Sequence, residues 1–366
     1  MSEQPSGVEP AWRESRERFQ RRIDAARAND DSADDEWVVV DVEAPSADAD
    51  AVLQRFGDQD AVLWSPPRGP EYAGLGVAHA IEGSGQARFA EVLEGARALW
   101  RRLRPLAPSP AIGELGPRLF GGFAFAPDGA RSEPWRSFGA ARFVVPRVSY
   151  AREGERALLS LVVQRAELRS GAAHEHVRLF QQVQDALAHG LSAERVAAPT
   201  QPVAQRAIAA SAFAERIERL LELIRSGEVR KVVTAQELSL DFASDLDPIA
   251  TAVALRDEAP GCVRFVFRWA GAAFVGATPE RLLHKRGLSL TTEALAGTIA
   301  AGVDSEHRLQ GSAKELEEHR HVVSTITGVL EPLCAECRVA SAPEIRRLKR
   351  LLHLRTPISA ELRAET

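Results

Sequence analysis

Hydrophobic and polar positions change in short blocks along the first half of the chain, as they do in strands separated by turns. Residues 1–36 are polar, with arginines and carboxylates interleaved, and predict a lead-in that is partly a solvated helix and partly disordered. Residues 37–195 contain short β-rich runs broken by Gly and Pro, among them EWVVVDVEAP, DAVLWSPP, RLFGGFAFAP, ARFVVPRVSY and RALLSLVVQRAEL. This half therefore predicts a large, mainly antiparallel sheet.

Residues 207–366 mix helical and strand patterns. The stretch before them, SAERVAAPTQPVAQR, predicts a linker because it offers little apolar surface to bury. A helix that ends at Gly227 follows, and its apolar residues at helical spacing are Phe213, Ile217, Leu220, Leu221 and Ile224. Then come a predicted strand, VRKVVTAQELSL, and a long helix from about Ser312 to Leu333. The predicted fold class is α+β, with an antiparallel sheet core in two layers flanked by helices.

Composition and charge exclude several classes of function. The chain has 366 residues and a net charge of −5, and its basic residues are dispersed among acidic ones, so we expect no nucleic-acid partner. No segment has the length and apolarity of a membrane span or of a secretory signal, so we expect no membrane partner. Three cysteines are too few for a disulfide framework, which favours a cytoplasmic protein. We also expect a monomer. Cys334 and Cys337 form a lone C-x-x-C, which we interpret as coincidence.

Two ionisable residues next to predicted strands are candidates for chemistry. Lys231 opens the run VRKVVTAQELSL, and on a strand it would share a face with Val233 and Ala235, where a small ligand could fit. The alternative is a lysine at a strand end that simply reaches solvent. Glu280 follows Thr278 in the turn TPERLL and is either a capped first-turn carboxylate or an acid that faces a ligand.

The long helix places one carboxylate in an unusual position. Its predicted apolar face consists of Val322, Val323, Ile326, Val329 and Leu330. Helical spacing puts Glu318 on that face with His319 beside it, whereas Glu317 projects toward the polar side. A buried carboxylate costs several kcal/mol unless it is paired or binds a cation, so Glu318 is predicted either to bind a cation or to pair with an arginine.

Five short motifs occur together in one order: KVVTAQ, GATPERLL, LAGT, SAKELEEH followed by VV, and HLRTPI. This set resembles the chorismate-utilising enzymes, which include isochorismate, salicylate, anthranilate and aminodeoxychorismate synthases. The segments VLWSPPRGPEYAGLGVAHAIEG, RLFGGFAFAP and SFGAARFVVP are similar to the isochorismate synthase branch. The resemblance runs from about residue 37 to the last residue and implies an enzyme that acts on chorismate.

The resemblance also implies roles for particular residues. Lys231 would be the general base that activates water, and Glu280 would be the general acid. The chemistry agrees with these residue types, because water adds at C2 of chorismate while the C4 hydroxyl leaves, so one group must take a proton and another must supply one. Branches that use ammonia lack this lysine, so Lys231 disfavours anthranilate synthase.

The remaining roles concern binding. Gly297 and Thr298, in LAGT, would contact the substrate around its ring, and His353 in HLRT would lie near it. Glu318 would bind Mg²⁺, a cation that prefers carboxylate and water oxygens. Residues 207–366 would thus form the chorismate-binding region.

The chain also departs from the family pattern. Gln236 stands where an arginine is common, and Leu316 replaces a polar residue. The family continues past HLRTPISAELRAET with a second metal carboxylate and an arginine for the substrate carboxylates, so we expect either a C-terminally truncated form or a missing part that is supplied in trans. Two alternatives to an isochorismate synthase remain: a salicylate synthase, which uses the same base and acid and then eliminates pyruvate, and a non-catalytic remnant.

Overall fold

The computed structural model describes residues 8–28, 33–56, 59–106, 115–129, 133–191 and 201–364, with side chains from residue 12 onward. The chain forms two compact units. The first comprises Met1–Val196, Asp247–Asp257 and Cys262–Ala277, and the second comprises Ala197–Leu246, Glu258–Gly261 and Thr278–Thr366. None of the helices in the described ranges combines the length and apolar character that a membrane span requires.

The helices and strands are numbered in chain order. The helices are α1 (Val8–Ala28), α2 (Ala49–Arg55), α3 (Arg88–Arg102), α4 (Arg165–Ser170), α5 (His174–His189), α6 (Ala210–Arg225), α7 (Pro248–Glu258), α8 (Ser305–Gly311) and α9 (Ala313–Leu330). The strands of the first unit are β1 (Trp37–Glu43), β2 (Ala61–Ser65), β3 (Glu71–Gly83), β4 (Leu103–Pro105), β5 (Phe120–Phe123), β6 (Ala141–Glu153) and β7 (Arg156–Gln164). Those that follow are β8 (Ala204–Ala207), β9 (Leu238–Asp241), β10 (Val263–Trp269), β11 (Ala272–Thr278), β12 (His284–Arg286), β13 (Ser289–Ala300), β14 (Cys334–Val339), β15 (Glu344–Arg347) and β16 (Leu351–Leu362).

A nine-stranded sheet forms the first unit. Its order is β11-β10-β2-β3-β6-β7-β1-β4, and β5 pairs with β6. The pairs β10–β2, β2–β3, β3–β6, β5–β6, β6–β7 and β7–β1 are antiparallel, and β1 and β4 are parallel. The prediction of an α+β protein with a large, mainly antiparallel sheet flanked by helices is confirmed, whereas the stacking of two sheets as layers stays a prediction.

Helix α1 belongs to the core of the first unit. Phe19 and Ile23 are fully buried, and the ring of Phe19 stacks on that of Phe180 in α5 with centroids 4.1 Å apart. The expectation of a solvated helix within residues 1–36 is therefore wrong for this stretch. The reason is the four-residue spacing of Phe19 and Ile23, which gives an otherwise charged helix one apolar face.

The hairpin β10–β11 and helix α7 also belong to the first unit, which differs from the boundary placed at residue 207. Strand β10 pairs with β2 in the register Val266↔Leu63. The buried Arg264 Nη1 lies 3.1 Å from Asp50 Oδ2 and donates a second hydrogen bond to the Ala252 carbonyl of α7. These long-range contacts join the segment to the first sheet, and a linear reading of composition does not detect them.

The last residues of the predicted linker belong to a strand. Residues 192–200 of that segment lie outside the described residues, but Ala204–Ala207 forms β8 and pairs with β9. The predicted helix after it is confirmed as α6, and Gly227 adopts a φ of +79° just beyond its end.

The second unit contains a five-stranded sheet of order β12-β13-β16-β14, with β15 also pairing to β16. Helix α9 begins at the N-cap Ser312, as predicted, and ends at Leu330, where a 3-10 turn continues to Leu333. Leu330 packs with buried apolar residues of β13, β14 and β16. Cys334 and Cys337 both lie on β14 as free thiols and contact this cluster.

Candidate functional site

Lys231 lies in an extended loop and not in a strand. The predicted strand over residues 229–240 forms only at its end, as β9, because β8 provides hydrogen-bond partners for four residues alone. Val233, expected to share a face with Lys231, is 81% exposed. The predicted alternation of side chains therefore does not hold here, since β-branched residues form a strand only where a neighbouring strand pairs with them.

The side chain of Lys231 nevertheless has a specific partner. Its Nζ lies 3.1 Å from Oε1 of Glu318 on α9, and both side chains are about one-third exposed. The two residues are 87 positions apart in sequence. The contact places the amine predicted to be a base beside the carboxylate predicted to bind a cation.

Glu318 borders the buried stripe of α9 instead of lying on it. His319 and Leu330 are the buried residues of this helix, Glu318 is half-buried, and Val329 is 64% exposed. The face of α9 that meets the sheet is thus rotated by about one residue from the predicted apolar face. The partner of Glu318 is a lysine and not an arginine. Glu317 is exposed, as predicted.

Gly297, Thr298 and His353 lie together on two neighbouring strands. A bulge in β13 separates Ala296 from Thr298, and Gly297 within it has a φ of +78°, which a residue with a Cβ adopts only under strain. After the bulge Thr298 is opposite His353 on β16, and Thr298 Oγ1 lies 2.9 Å from His353 Nδ1. Burial, reinforced by the nearby Arg346, lowers the pKa of His353, which favours a neutral imidazole.

The helix and the bulge are held together by a residue that the sequence analysis missed. Glu315, in the first turn of α9, accepts a hydrogen bond from the Thr298 backbone N–H at 3.0 Å. A Cβ on Gly297 would lie only 3.2 Å from the Glu315 carbonyl oxygen. Two of the predicted site residues, Gly297 and Thr298, therefore depend on the close approach of α9 to β13.

Glu280 follows β11 in a turn and does not begin a helix. Thr278 Oγ1 accepts a hydrogen bond from the Glu280 backbone N–H at 3.1 Å, which is a local turn contact. Glu280 is exposed as a residue, and partial desolvation of its carboxyl together with the negative charge of Glu293 raises its pKa. Both causes favour the protonated carboxyl, the form that a general acid requires.

Glu293 is a second residue that the sequence analysis did not identify. Its side chain on β13 is 10% exposed and forms an ion pair with Arg355 on β16, whose Nη1 also lies 2.9 Å from Glu344 Oε2. A charged residue in the middle of the strand run LSLTTEALAGT was the available signal.

A cavity of about 510 Å³ lies beside this pair. Its polar lining includes Arg281, Thr291, Glu293, Arg338, Arg355 and Ser359. Two of its three guanidinium groups already pair with carboxylates, Arg355 with Glu293 and Glu344, and Arg338 with Glu336. Lys231, Glu318 and the bulge residues do not line this cavity. The predicted residues thus form three groups within the second unit: the Lys231–Glu318 pair, the bulge with His353, and Glu280 near Glu293.

The described residues fit a Mg²⁺ site only in part. Within the described ranges, no group of three or more His, Cys, Asp or Glu side chains could hold a metal ion. Glu318 offers one carboxylate, and the Lys231 ammonium is in contact with it. Mg²⁺ commonly binds through one or two carboxylates and keeps several waters, so Glu318 can serve as a ligand if other oxygens complete the shell and the ammonium moves aside.

Comparisons with known proteins identify the family. Residues 22–366 match the family model described as chorismate binding enzyme. The chain is 32% identical over 323 residues to the salicylate biosynthesis isochorismate synthase of Pseudomonas aeruginosa, a match that covers 85% of this chain and 66% of that protein. It is 30% identical over 263 residues to the isochorismate synthase MenF of Bacillus subtilis, covering 68% of this chain and 53% of that protein.

The fold has a parallel among solved structures. The menaquinone-specific isochorismate synthase MenF of Escherichia coli superposes with a TM-score of 0.73 at 24% identity, over 96% of this chain and 77% of that one. The chain spans about half to two thirds of the length of the first curated relatives that it matches. With a family model that covers nearly its whole length, the chain belongs to the chorismate-binding enzyme family.

Proposed function

We propose that this protein is an isochorismate synthase, which converts chorismate to isochorismate for menaquinone or siderophore biosynthesis. The observation that carries the proposal is Lys231: an amine occupies the family position where a water-using enzyme needs its base, and it contacts Glu318 at 3.1 Å. Several relatives are named isochorismate synthases, which supports the same reaction.

In the proposed reaction, Lys231 takes a proton from the water that adds at C2. Each turnover leaves the proton from water on Lys231 and Glu280 without its proton, so Lys231 must release a proton and Glu280 must regain one before the next turnover. Glu280 gives its proton to the departing C4 hydroxyl, and the raised pKa of Glu280 supports this role. Water is consumed and released in equal number, so the reaction is an isomerisation.

Thr298 and His353 contact the substrate ring, and Gly297 lets the backbone approach it closely. Glu318 is the carboxylate that would hold Mg²⁺, and the bound ion would neutralise a substrate carboxylate. A cytoplasmic location and a monomeric state are part of the same proposal.

The test is to incubate the chain with chorismate and Mg²⁺ and to separate the products by chromatography. We expect isochorismate. Salicylate with pyruvate would instead identify a salicylate synthase, the alternative with the same base and acid. No product from a chain that unfolds cooperatively would contradict the proposal and favour a non-catalytic remnant.

Two substitutions test the proposed acid and base, each with a matched control. Lys231→Ala and Glu280→Gln should each lower kcat by about 100-fold or more, the usual size of a general acid or base contribution. Arg230→Ala, at the exposed residue before Lys231, is the control for the lysine, and Glu317→Gln, at an exposed glutamate of α9, is the control for a glutamate-to-glutamine change; both should retain near wild-type kcat. A Lys231→Ala variant as active as Arg230→Ala would exclude Lys231 as the base.

A further inference from the structure

His319 is the one strongly buried polar residue of α9 among the described residues, with a relative exposure of 2%. Its ring forms hydrogen bonds to two strands of the five-stranded sheet. Nδ1 lies 3.1 Å from the carbonyl oxygen of Ala296 on β13, and Nε2 lies 2.7 Å from Oγ1 of Thr356 on β16. Thr356 is itself 3% exposed, so this polar chain is sealed from solvent.

The Ala296 carbonyl requires that Nδ1 of His319 carries a proton, because a backbone carbonyl can only accept a hydrogen bond. The Thr356 hydroxyl can either donate to Nε2 or accept from it, so this second hydrogen bond forms whether or not Nε2 is protonated.

These bonds connect the helix to the strands at the site. Ala296 is the last residue before the Gly297 bulge, and Thr356 is three residues from His353 on β16. On the helix side, His319 directly follows Glu318 and lies one turn after Glu315. A sliding of α9 along the sheet would break the bonds of His319 and would also move Glu318 away from Lys231.

We propose that His319 is a positioning residue that fixes α9 on β13 and β16, through a hydrogen bond from Nδ1–H to the Ala296 carbonyl and a second one between Nε2 and the Thr356 hydroxyl. It acts through Glu318 and through the Glu315–Thr298 hydrogen bond, and it does not touch substrate. Only the effect of His319 on catalysis rests on the proposed function. The proton on Nδ1 and the position of α9 on the sheet can be measured without turnover.

The test compares Thr356→Val, which removes the hydroxyl at constant shape, with Thr356→Ser, which keeps it. Long-range ¹H–¹⁵N spectra of the wild type and of Thr356→Ser should show a protonated Nδ1 on His319. An unprotonated Nδ1 in the wild type would overturn the proposal whatever the variants do, because the hydrogen bond to the Ala296 carbonyl needs that proton.

The second measurement is hydrogen exchange of the Thr298 amide, which reports the contact of α9 with the bulge. Thr356→Val leaves the buried Nε2 of His319 without its hydrogen-bond partner, so exchange at Thr298 should accelerate about 10-fold or more, while Thr356→Ser should stay near the wild-type rate. The amide of Val266 in the first sheet serves as the internal control. Unchanged exchange at Thr298 in a folded Thr356→Val protein, or equal acceleration in Thr356→Ser, would contradict the positioning role.

Turnover is measured last. If the wild type forms isochorismate, kcat should fall about 10-fold or more in Thr356→Val and recover in Thr356→Ser, in step with the exchange data. A wild type that forms no isochorismate would refute the proposed function alone, because the spectra and the exchange rates still decide the role of His319.

Discussion

Replacing Gly297 by alanine tests whether the close approach of α9 to β13 builds the site. Gly297 has a φ of +78°, in the left-handed region where a Cβ costs about 1–2 kcal/mol. The new Cβ would also lie 3.2 Å from the Glu315 carbonyl oxygen and 3.2 Å from Leu354 Cδ1. Both distances are shorter than ordinary van der Waals contacts, so the helix or the strand must shift.

The magnitude follows from these two terms. Overpacking of a close contact typically costs about 1–3 kcal/mol, so Gly297→Ala should destabilise the second unit by about 2–5 kcal/mol in total. The same shift displaces the Glu315–Thr298 hydrogen bond, so turnover of chorismate should fall more steeply than stability alone explains.

Gly287 provides a matched control on the same sheet. Its φ is +58°, and a Cβ there would have no heavy atom within 4 Å. Gly287→Ala should therefore cost only the backbone term of about 1–2 kcal/mol and leave turnover near wild type. Denaturant unfolding of both variants measures the difference in the free energy of unfolding. Equal destabilisation by the two substitutions, with equal activity, would refute the claim that α9 and the bulge are in critical contact.

Two further predictions concern the acid and the cation. Glu293→Gln removes one of the two causes that raise the pKa of Glu280, so the pKa of Glu280 should fall. The loss of kcat/KM on the alkaline side should then begin at a lower pH than in the wild type. An alkaline limb of the pH profile that stays in place or moves to higher pH would contradict this assignment. Glu318→Ala should weaken Mg²⁺ binding, measured by titration calorimetry in the presence of chorismate, far more than Glu317→Ala, and equal tolerance of the two would contradict the assignment of Glu318.

Local patterns predicted the helices of the second unit well. The N-cap Ser312 and the apolar residues that follow determine where α9 begins and ends, because capping and helical spacing are properties of neighbouring residues. The face of α9 that meets the sheet could not be predicted in this way, since Val329 and Leu330 are both apolar and their local pattern does not distinguish them.

Strand pairing could not be predicted in the same way. The run after Lys231 has the composition of a strand, but a strand also needs a partner, and only β8 pairs with its end. Similarly, the charged surface of α1 concealed Phe19 and Ile23, whose burial depends on the apolar face of α5.

For the candidate site, the family motifs indicated Lys231, Glu280 and Glu318 as candidates but not the residues that surround them. The Lys231–Glu318 pair joins residues 87 positions apart, and the influence of Glu293 on Glu280 depends on the path of a turn. Such contacts arise only from the folded sheet and helix, which is why the sequence indicated candidate roles without their partners.

The most direct test of the account is turnover of chorismate in H₂¹⁸O, with the isochorismate analysed by mass spectrometry. If Lys231 activates water for addition at C2, each isochorismate should carry one ¹⁸O atom, and labelled product should disappear in Lys231→Ala. Isochorismate without the label, or labelled product formed at the wild-type rate by Lys231→Ala, would contradict the proposed mechanism.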